Sequence, residues 1–170
     1  MLGCKAKTIH SWSGMKIARG DKDTIIKNIC RNKTAVSAWR KTDILIVDEV
    51  SMMCEKIFDV LEETGRIMKR NSRPFGGMQV IFTGDFFQLP PVPTPGEPET
   101  EAFCFESKKW FTVFPLKNHI QLTKMFRQTD PLYIKILMEI RSGTISEESK
   151  KILEKYVKRE YKKEENLHCI

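Results

Sequence analysis

The chain has 170 residues, of which 41% are hydrophobic and 30% are charged, a composition that excludes disordered and fibrous proteins. No apolar stretch approaches the ~18 residues that a membrane-spanning helix needs, and the first residues lack the apolar segment of a signal peptide. The five cysteines are scattered without a C-x-x-C pair, which argues against a zinc site or a disulfide framework. We therefore expect an intracellular protein that is neither secreted nor bound to a membrane.

The net charge of +7 is unevenly distributed along the chain. Residues 1–47 carry ten basic and three acidic side chains, residues 48–101 carry five and ten, and residues 102–170 carry 14 and nine. The two basic flanks suit a polyanion such as nucleic acid. A lysine-rich solvated surface explains the same charge, so charge alone does not decide between the two.

The predicted elements of the first half follow an α/β order. Residues 21–40 have an apolar helical face and predict one helix, and residues 43–48 predict a strand buried on both faces. Residues 51–70 return to helical spacing, residues 71–77 form a loop, and residues 78–83 predict a second buried strand. This strand–helix–strand order predicts a parallel βαβ unit.

The second half begins with a stretch rich in proline and acidic residues. Residues 90–101 predict a surface loop without a fixed fold. Residues 107–114 predict a short helix, and residues 118–123 a third strand. Two further helices are predicted over 130–141 and 146–156, with caps at Asp130, which precedes a proline, and at Ser146. The last dozen residues are highly charged and are expected to fray.

Acidic residues follow both predicted strands of the βαβ unit. Asp48 and Glu49 come directly after the apolar residues 44–47, and Asp85 follows the second strand. In parallel α/β sheets, ligands bind at the carboxyl ends of the strands. An Asp-Glu pair there is the Walker-B arrangement, in which the aspartate holds Mg²⁺ through water and the glutamate polarises the water that attacks a nucleotide. An ordinary strand end, with both acids facing solvent, is the alternative.

The stretch VIFTGDFFQLPPV at 80–92 places further polar groups beside these acids. Gly84 permits a close backbone approach because it has no Cβ. Gln88 can both donate and accept hydrogen bonds, so it can sense a terminal phosphate or the attacking water. Pro90 and Pro91 stiffen the exit of the loop. A tight turn with its two phenylalanines tucked into the core is the alternative.

Arg127 follows the third predicted strand, where an arginine can reach a γ-phosphate, although a lone arginine is usually a surface residue. Together these elements resemble the Pif/RecD-like DNA helicases of superfamily one, the Pif (petite integration frequency) type in particular. The resemblance spans residues 8–145 in order. The matching motifs are TIHSWSG at 8–14, DILIVDEVSM at 43–52, GGMQVIFTGDFFQLPPV at 76–92, FCFESKKW at 103–110, LTKMFRQ at 122–128 and DPLYIKILMEIRSG at 130–143.

The resemblance implies an ATP-dependent enzyme that moves 5′ to 3′ on single-stranded DNA, separates forked duplexes and serves DNA repair, recombination and telomere maintenance. It implies that Asp48 holds Mg²⁺ through water and that Glu49 is the catalytic base. Gln88 and Arg127 would contact the γ-phosphate of ATP, and Asp85 would also border the nucleotide. In a eukaryote such an enzyme is expected in the nucleus or the mitochondrion, and otherwise in the cytoplasm.

For the DNA, the resemblance implies a contact along the TIHSW segment. The hydroxyls of Thr8 and Ser11, together with His10 and backbone N–H groups, would bond phosphate oxygens. Trp12 would stack on a base, and a buried structural tryptophan is the alternative.

The resemblance also predicts what the chain lacks. The fold class it implies is α/β, a RecA-like P-loop NTPase domain with a mainly parallel sheet flanked by helices. Within the 170 residues there is no phosphate loop of the form G-x-x-x-x-G-K-[ST]. We therefore expect a domain truncated at its N-terminal strand and phosphate loop over residues 1–124, and the start of a second RecA-like domain over residues 125–170.

Without that loop the phosphates of ATP lose their main cradle, so this chain by itself is expected to be inactive. The alternative function is a catalytically inactive remnant that binds single-stranded nucleic acid. Another P-loop ATPase that shares only the Asp-Glu strand is a further alternative.

Overall fold

A computed structural model describes residues 6–157 of the chain. These residues divide into two compact units, the first ending at Gln121 and the second beginning at Leu122. The charged tail of the last dozen residues, for which fraying is expected, lies outside the described residues. In chain order the first unit contains helices α1 (Ile9–Ser13), α2 (Lys22–Arg31) and α3 (Lys33–Lys41), strand β1 (Ile44–Val47), helix α4 (Glu55–Lys69), strand β2 (Gln79–Phe82) and helix α5 (Trp110–Val113).

Strands β1 and β2 pair in parallel, and α4 crosses over between them. Ile44 lies opposite Gln79, and Val47 lies opposite Phe82. This arrangement confirms the predicted βαβ unit and the α/β fold class. The helix predicted over 51–70 begins only at Glu55, because the residues just after β1 form a short 3-10 turn.

The two faces of the sheet differ in their burial. Leu45 and Val47 are buried against the helices, whereas Ile44 and Ile46 on the other face are 54% and 64% exposed. In β2, Ile81 is likewise 43% exposed. The prediction of strands buried on both faces is therefore wrong for the described residues. A continuous apolar run indicates that both faces of a strand are suited to burial. The helices described here pack on only one face of the sheet.

Helix α4 supplies the centre of the core. Its Phe58 is fully buried and contacts four other aromatic rings at centroid distances of 5.3 to 6.4 Å, namely Phe75, Phe82, Trp110 and Phe114. A Cβ added to Gly65 would lie 2.8 Å from the backbone of Phe75, so this glycine lets α4 lie directly against the turn before β2. The aromatic cluster thereby holds α4, β2 and α5 together.

The single helix predicted over residues 21–40 is wrong, because the chain breaks at Asn32. Asn32 is extended, with φ −83° and ψ 99°, and its side-chain oxygen accepts hydrogen bonds from the N–H groups of Thr34 and Ala35. These bonds satisfy the first N–H groups of α3. The apolar period continues on both sides of the break, which is why the pattern alone did not reveal it.

The proline-rich stretch has fixed contacts, so the prediction of a loop without a fixed fold is wrong. Thr94 bridges to Glu97, and a 3-10 turn follows at Pro98–Thr100. The Glu97 carboxylate accepts a hydrogen bond of 2.9 Å from the Gly20 N–H and pairs with Lys56, whose side chain is only 3% exposed. The Gly20 N–H, and then Lys56, hold the pKa of Glu97 below its usual range. Composition did not predict these long-range partners.

The strand predicted over residues 118–123 is also wrong. A 3-10 turn covers Leu116–Asn118, and no regular element follows until after Thr129. Ile120 and Leu122 are 84% and 88% exposed. A strand forms only where a neighbouring strand accepts its hydrogen bonds, and no partner for this segment exists among residues 6–157.

The second unit contains two helices, α6 (Pro131–Ser142) and α7 (Glu147–Val157), as predicted. The Asp130 carboxylate accepts hydrogen bonds from the N–H groups of Leu132 and Tyr133, which confirms the first cap. The Ser146 hydroxyl accepts one from the Ser149 N–H at 3.3 Å, which confirms the second. Within the described part of the chain, no helix has the length and apolar character that a membrane crossing requires.

Candidate functional site

The site predicted from the sequence lies at one edge of the small sheet. Because β1 and β2 are parallel neighbours, their carboxyl ends lie together, and the loops after them begin side by side. Backbone hydrogen bonds extend the pairing beyond both strands. Thr83 N–H donates to the Val47 carbonyl at 2.9 Å, and Val50 N–H donates to the Thr83 carbonyl at 3.1 Å. The loop that carries Asp48 and Glu49 is therefore joined directly to the loop that carries Asp85.

Glu49 is held in an unusual backbone conformation. Its φ and ψ are 56° and 45°, in the left-handed region that non-glycine residues rarely adopt. Its N–H donates to Asp48 Oδ1 at 3.0 Å, and both side chains are exposed. Left-handed backbone at a non-glycine residue costs roughly 1–2 kcal/mol and is concentrated at functional sites. The surrounding hydrogen bonds thus fix the backbone that carries the two carboxylates at the sheet edge.

Gly84 permits the two loops to approach this closely. A Cβ added at this residue would lie 2.8 Å from Val50 N and 3.2 Å from Val50 Cγ2. A side chain here would therefore push against the backbone of the residue that follows Glu49. The close approach predicted for Gly84 is confirmed. Its neighbour is the loop that carries Asp48 and Glu49, which we call the acidic loop.

We expect Gly84→Ala to lower the free energy of unfolding by about 1–3 kcal/mol, because the added methyl overpacks against backbone and breaks the Val50–Thr83 hydrogen bond. Denaturant unfolding of the chain measures this effect. Thr83→Ala is the matched control, since its side chain is exposed and its backbone bonds are retained. Equal stability of the two variants would contradict the close packing of the loops.

Asp85 organises the turn that presents Gln88. Its carbonyl accepts from Gln88 N–H at 2.9 Å, its Oδ1 accepts from Phe87 N–H at 3.1 Å, and its Oδ2 accepts from Gln88 Nε2 at 3.4 Å. Gln88 itself is exposed. Phe86 packs edge-on against Phe105 at 4.8 Å between centroids, whereas Phe87 is 67% exposed. Of the two phenylalanines, Phe86 therefore packs against other rings, and Phe87 is the more exposed. The contact of Asp85 with nucleotide stays a prediction.

Two buried cysteines lie behind the acidic loop, a feature that the sequence did not reveal. The Cys104 thiol is fully buried and donates to the Val50 carbonyl at 3.7 Å. Burial raises the pKa of Cys104 to about 12 and also raises the pKa of Cys54. Both thiols therefore stay protonated at neutral pH and act as packing groups rather than nucleophiles.

The TIHSW segment forms the short helix α1. The Thr8 hydroxyl caps it by accepting from Ser11 N–H at 3.3 Å, and the side chains of Thr8, His10 and Ser11 are exposed. Trp12 is half-buried against Trp39, with 4.5 Å between ring centroids. This packing favours the alternative that Trp12 is a buried structural tryptophan, at least for much of its ring. The three polar side chains remain accessible. Their contact with DNA stays a prediction.

The Trp39 ring positions α1, and sequence reasoning missed it. Its Nε1–H donates to the Ser13 carbonyl at 3.0 Å, and the ring is fully buried. Trp39 is a buried residue of α3, and nothing in the helical pattern indicates its bond to α1.

Arg127 belongs to the second unit, where its side chain is exposed. It precedes α6 in a segment without regular secondary structure. Its role at the γ-phosphate therefore stays a prediction.

The acidic loop fits the magnesium ion that the sequence predicts. One oxygen of Asp48 accepts the Glu49 N–H, and the exposed carboxylate can also accept from a water ligand of the ion. Among the described residues, no group of three or more histidine, cysteine or acidic side chains is placed to enclose a metal. Mg²⁺ keeps several waters and needs only one or two carboxylates when phosphates supply other ligands. The residues present are therefore suited to a water-mediated site.

Comparison with known proteins gives consistent matches. A family model described as PIF1-like helicase matches residues 2–151. The ATP-dependent DNA helicase RRM3 of Saccharomyces cerevisiae is 44% identical over 139 residues, which cover 82% of this chain and 19% of the relative. The ATP-dependent DNA helicase PIF1 of Homo sapiens is 34% identical over 141 residues, which cover 83% and 21%.

Solved structures agree with these matches. The crystal structure of the Pif1 helicase from Candida albicans superposes with a TM-score of 0.79 at 36% identity, covering 94% of this chain and 35% of that one. The Bacteroides Pif1 helicase in complex with ADP-AlF3 and ssDNA gives 0.69 at 29% identity, covering 89% and 36%. The chain spans about a fifth of the curated relatives and about a third of these solved chains. The similarity confirms the predicted RecA-like fold class.

Proposed function

Because the chain belongs to the PIF1-like helicase family, as its motifs predict, we propose that it is part of an ATP-dependent 5′–3′ DNA helicase. Such an enzyme couples ATP hydrolysis to translocation on single-stranded DNA and to the unwinding of forked duplexes, and it serves DNA repair, recombination and telomere maintenance. The observation that supports the proposal best is the joining of the Asp48–Glu49 and Asp85–Gln88 loops at one sheet edge. We also propose that the first unit is part of the first motor domain and that the second unit begins the next.

In this proposal, the acidic loop performs the chemistry. Glu49 accepts a proton from the attacking water, and hydrogen bonds hold the backbone around it. Asp48 would hold Mg²⁺ through a water ligand. When bound, the ion neutralises charge on the β- and γ-phosphates of ATP. Arg127 would add positive charge at the γ-phosphate.

Gln88 would report the state of the nucleotide. Its side-chain bond to Asp85 is long, at 3.4 Å, and the side chain is exposed, so a γ-phosphate oxygen or the attacking water can compete for the amide. Pro90 and Pro91 follow directly and limit the backbone freedom of the exit. A change in the hydrogen bonds of the Gln88 amide would therefore shift the position of the following loop.

The loop after Gln88 is also held at Glu97, through a residue that follows the proposed DNA segment in the chain. Glu97 binds the Gly20 N–H and the buried Lys56, and Gly20 lies a few residues after α1. The stretch between Gln88 and Glu97 thus connects the nucleotide edge with the segment that follows Thr8–Ser13. This connection supports the proposal that the GDFFQLPP loop transmits the nucleotide state to the DNA.

A second candidate is a catalytically inactive protein that binds single-stranded nucleic acid. The basic flanks favour it, because they suit a polyanion such as nucleic acid. Electrostatic binding to phosphates would then be strong at low salt and independent of nucleotide.

The test compares ATP-dependent unwinding with simple binding. We expect a full-length helicase that carries this segment to unwind a forked duplex with a 5′ single-stranded tail only when ATP and Mg²⁺ are present, and to leave a duplex with only a 3′ tail intact. Strand separation measured by fluorescence reports both. Salt-sensitive binding of single-stranded DNA, with no effect of ATP and no unwinding, would instead support the inactive binding protein.

A further inference from the structure

Helices α2 and α3 carry a group of basic side chains that the proposed function does not use. We call it the α2–α3 basic face. It comprises Lys27, Arg31, Lys33, Arg40 and Lys41, all of which are exposed. It lies in the first unit and includes no residue of α1 or of the acidic loop.

Some basic residues of the same unit are paired with acids, whereas the basic face makes no ion pair among the described residues. Ion pairs involve Lys22, Lys56, Arg66, Lys69 and Lys109. None of the five side chains of the basic face takes part in an ion pair within residues 6–157. On α4, Asp59, Glu62 and Glu63 pair with lysines and arginines outside the basic face.

The spacing of these residues concentrates the charge on adjoining surfaces. Lys27 and Arg31 are one helical turn apart on α2, and they line a groove that also includes Asp23 and Glu63. Lys33, Arg40 and Lys41 line a second groove on α3 that contains no acidic residue. Cys30 lines both grooves.

Like charges one turn apart destabilise a helix. On α2, Asp23 lies one turn before Lys27 and offsets part of this repulsion. The groove on α3 has no acidic lining residue to compensate for its charge. A polyanion that neutralises the basic face would provide that compensation and would release counterions on binding.

The other lining residues indicate which polyanion fits. Neither groove is lined by an aromatic ring; the neutral residues are Ile26, Cys30, Val36, Ser37 and Ile67. Single-stranded DNA is usually held by bases that stack on aromatic side chains. A surface with Lys and Arg but no stacking platform suits the phosphate backbone of an intact duplex, which is contacted without reading its sequence.

We propose that the α2–α3 basic face binds the sugar–phosphate backbone of duplex DNA, at a site separate from the single-strand contact proposed for α1. This interaction requires no ATP hydrolysis and no residue of the acidic loop. It would hold the double-stranded part of a DNA substrate on the first unit.

The test uses two triple variants of the 170-residue chain with the same change in net charge. The first is Lys33→Gln/Arg40→Gln/Lys41→Gln. The matched control is Lys108→Gln/Lys117→Gln/Lys151→Gln, which removes three exposed positive charges elsewhere. Glutamine has nearly the helix propensity of lysine and arginine, so both variants should fold, and circular dichroism checks this. Fluorescence anisotropy measures binding of a blunt duplex and of a single strand between about 50 and 200 mM salt.

We expect the first variant to bind duplex DNA about tenfold more weakly or worse, and its salt slope to fall by ~0.9 for each phosphate that the protein no longer neutralises. The control should keep nearly the affinity of the parent chain. Equal losses in the two variants would show that net charge alone is responsible and would overturn the proposal. An equal loss for single strand and duplex would overturn the assignment to duplex DNA. A variant Lys33→Arg/Lys41→Arg should retain binding, and failure to do so would also count against a backbone contact.

Discussion

Glu49→Gln is expected to reduce ATP turnover by about 10²–10⁴-fold in a full-length helicase that carries this segment, while ATP binding is retained. Glutamine preserves the size of the side chain and the Glu49 N–H bond to Asp48, so the left-handed backbone at this residue stays in place. Glutamine cannot accept a proton from the attacking water. The measurements are steady-state hydrolysis in the presence of single-stranded DNA and the affinity for a fluorescent ATP analogue.

Asp43→Asn provides the matched control for this experiment. Asp43 is a carboxylate at the opposite end of β1, where its side chain is 92% exposed and lies 3.5 Å from Lys69. It should therefore keep turnover near the level of the parent enzyme. If Glu49→Gln hydrolysed ATP as fast as Asp43→Asn, Glu49 would not be the base, and the acidic loop would lose its proposed role.

Phe58→Ala should lower the free energy of unfolding by about 3–5 kcal/mol, a large share of the stability of a small domain. Phe58 is fully buried and contacts Phe75, Phe82, Trp110 and Phe114, so its removal leaves a cavity between α4, β2 and α5. Urea unfolding followed by circular dichroism measures the change.

The same substitution at an exposed phenylalanine serves as the control. Phe111 in α5 is 61% exposed, and Phe111→Ala should change stability by no more than about 0.5 kcal/mol. Similar losses for the two variants would mean that Phe58 is not the centre of the aromatic cluster. An insoluble Phe58→Ala chain can be replaced by Phe58→Leu, which should lose less stability but still more than Phe111→Ala.

Local signals in the sequence predicted much of the fold. The apolar runs predicted β1 and β2, and the helical period between them predicted α4 and the parallel crossover. Asp130 and Ser146 predicted the starts of α6 and α7, because a capping side chain bonds to N–H groups only two or three residues away. The ordered motifs predicted the family. Each of these predictions depends on interactions between residues that are close in the sequence or on a recognisable pattern.

The errors occurred where distant partners decide the structure. The segment 118–123 has strand-like residues but no strand beside it, and Glu97 orders a proline-rich loop by bonding to Gly20. The exposure of the Ile44 and Ile46 side chains depends on which helices pack on the sheet. Asn32 is a local exception, since its capping side chain ends one helix and starts the next within an unbroken apolar pattern.

At the candidate site, the side chains that can do chemistry are evident from the residue types: a neighbouring aspartate and glutamate, a glutamine on a proline-stiffened loop, and hydroxyls at a helix start. The three-dimensional packing adds that the two loops are joined through Gly84 and Val50, and that Trp12 rests on Trp39. Residue type specifies a side chain's chemistry, whereas the distance between two loops depends on the pairing and packing of segments far apart in the chain.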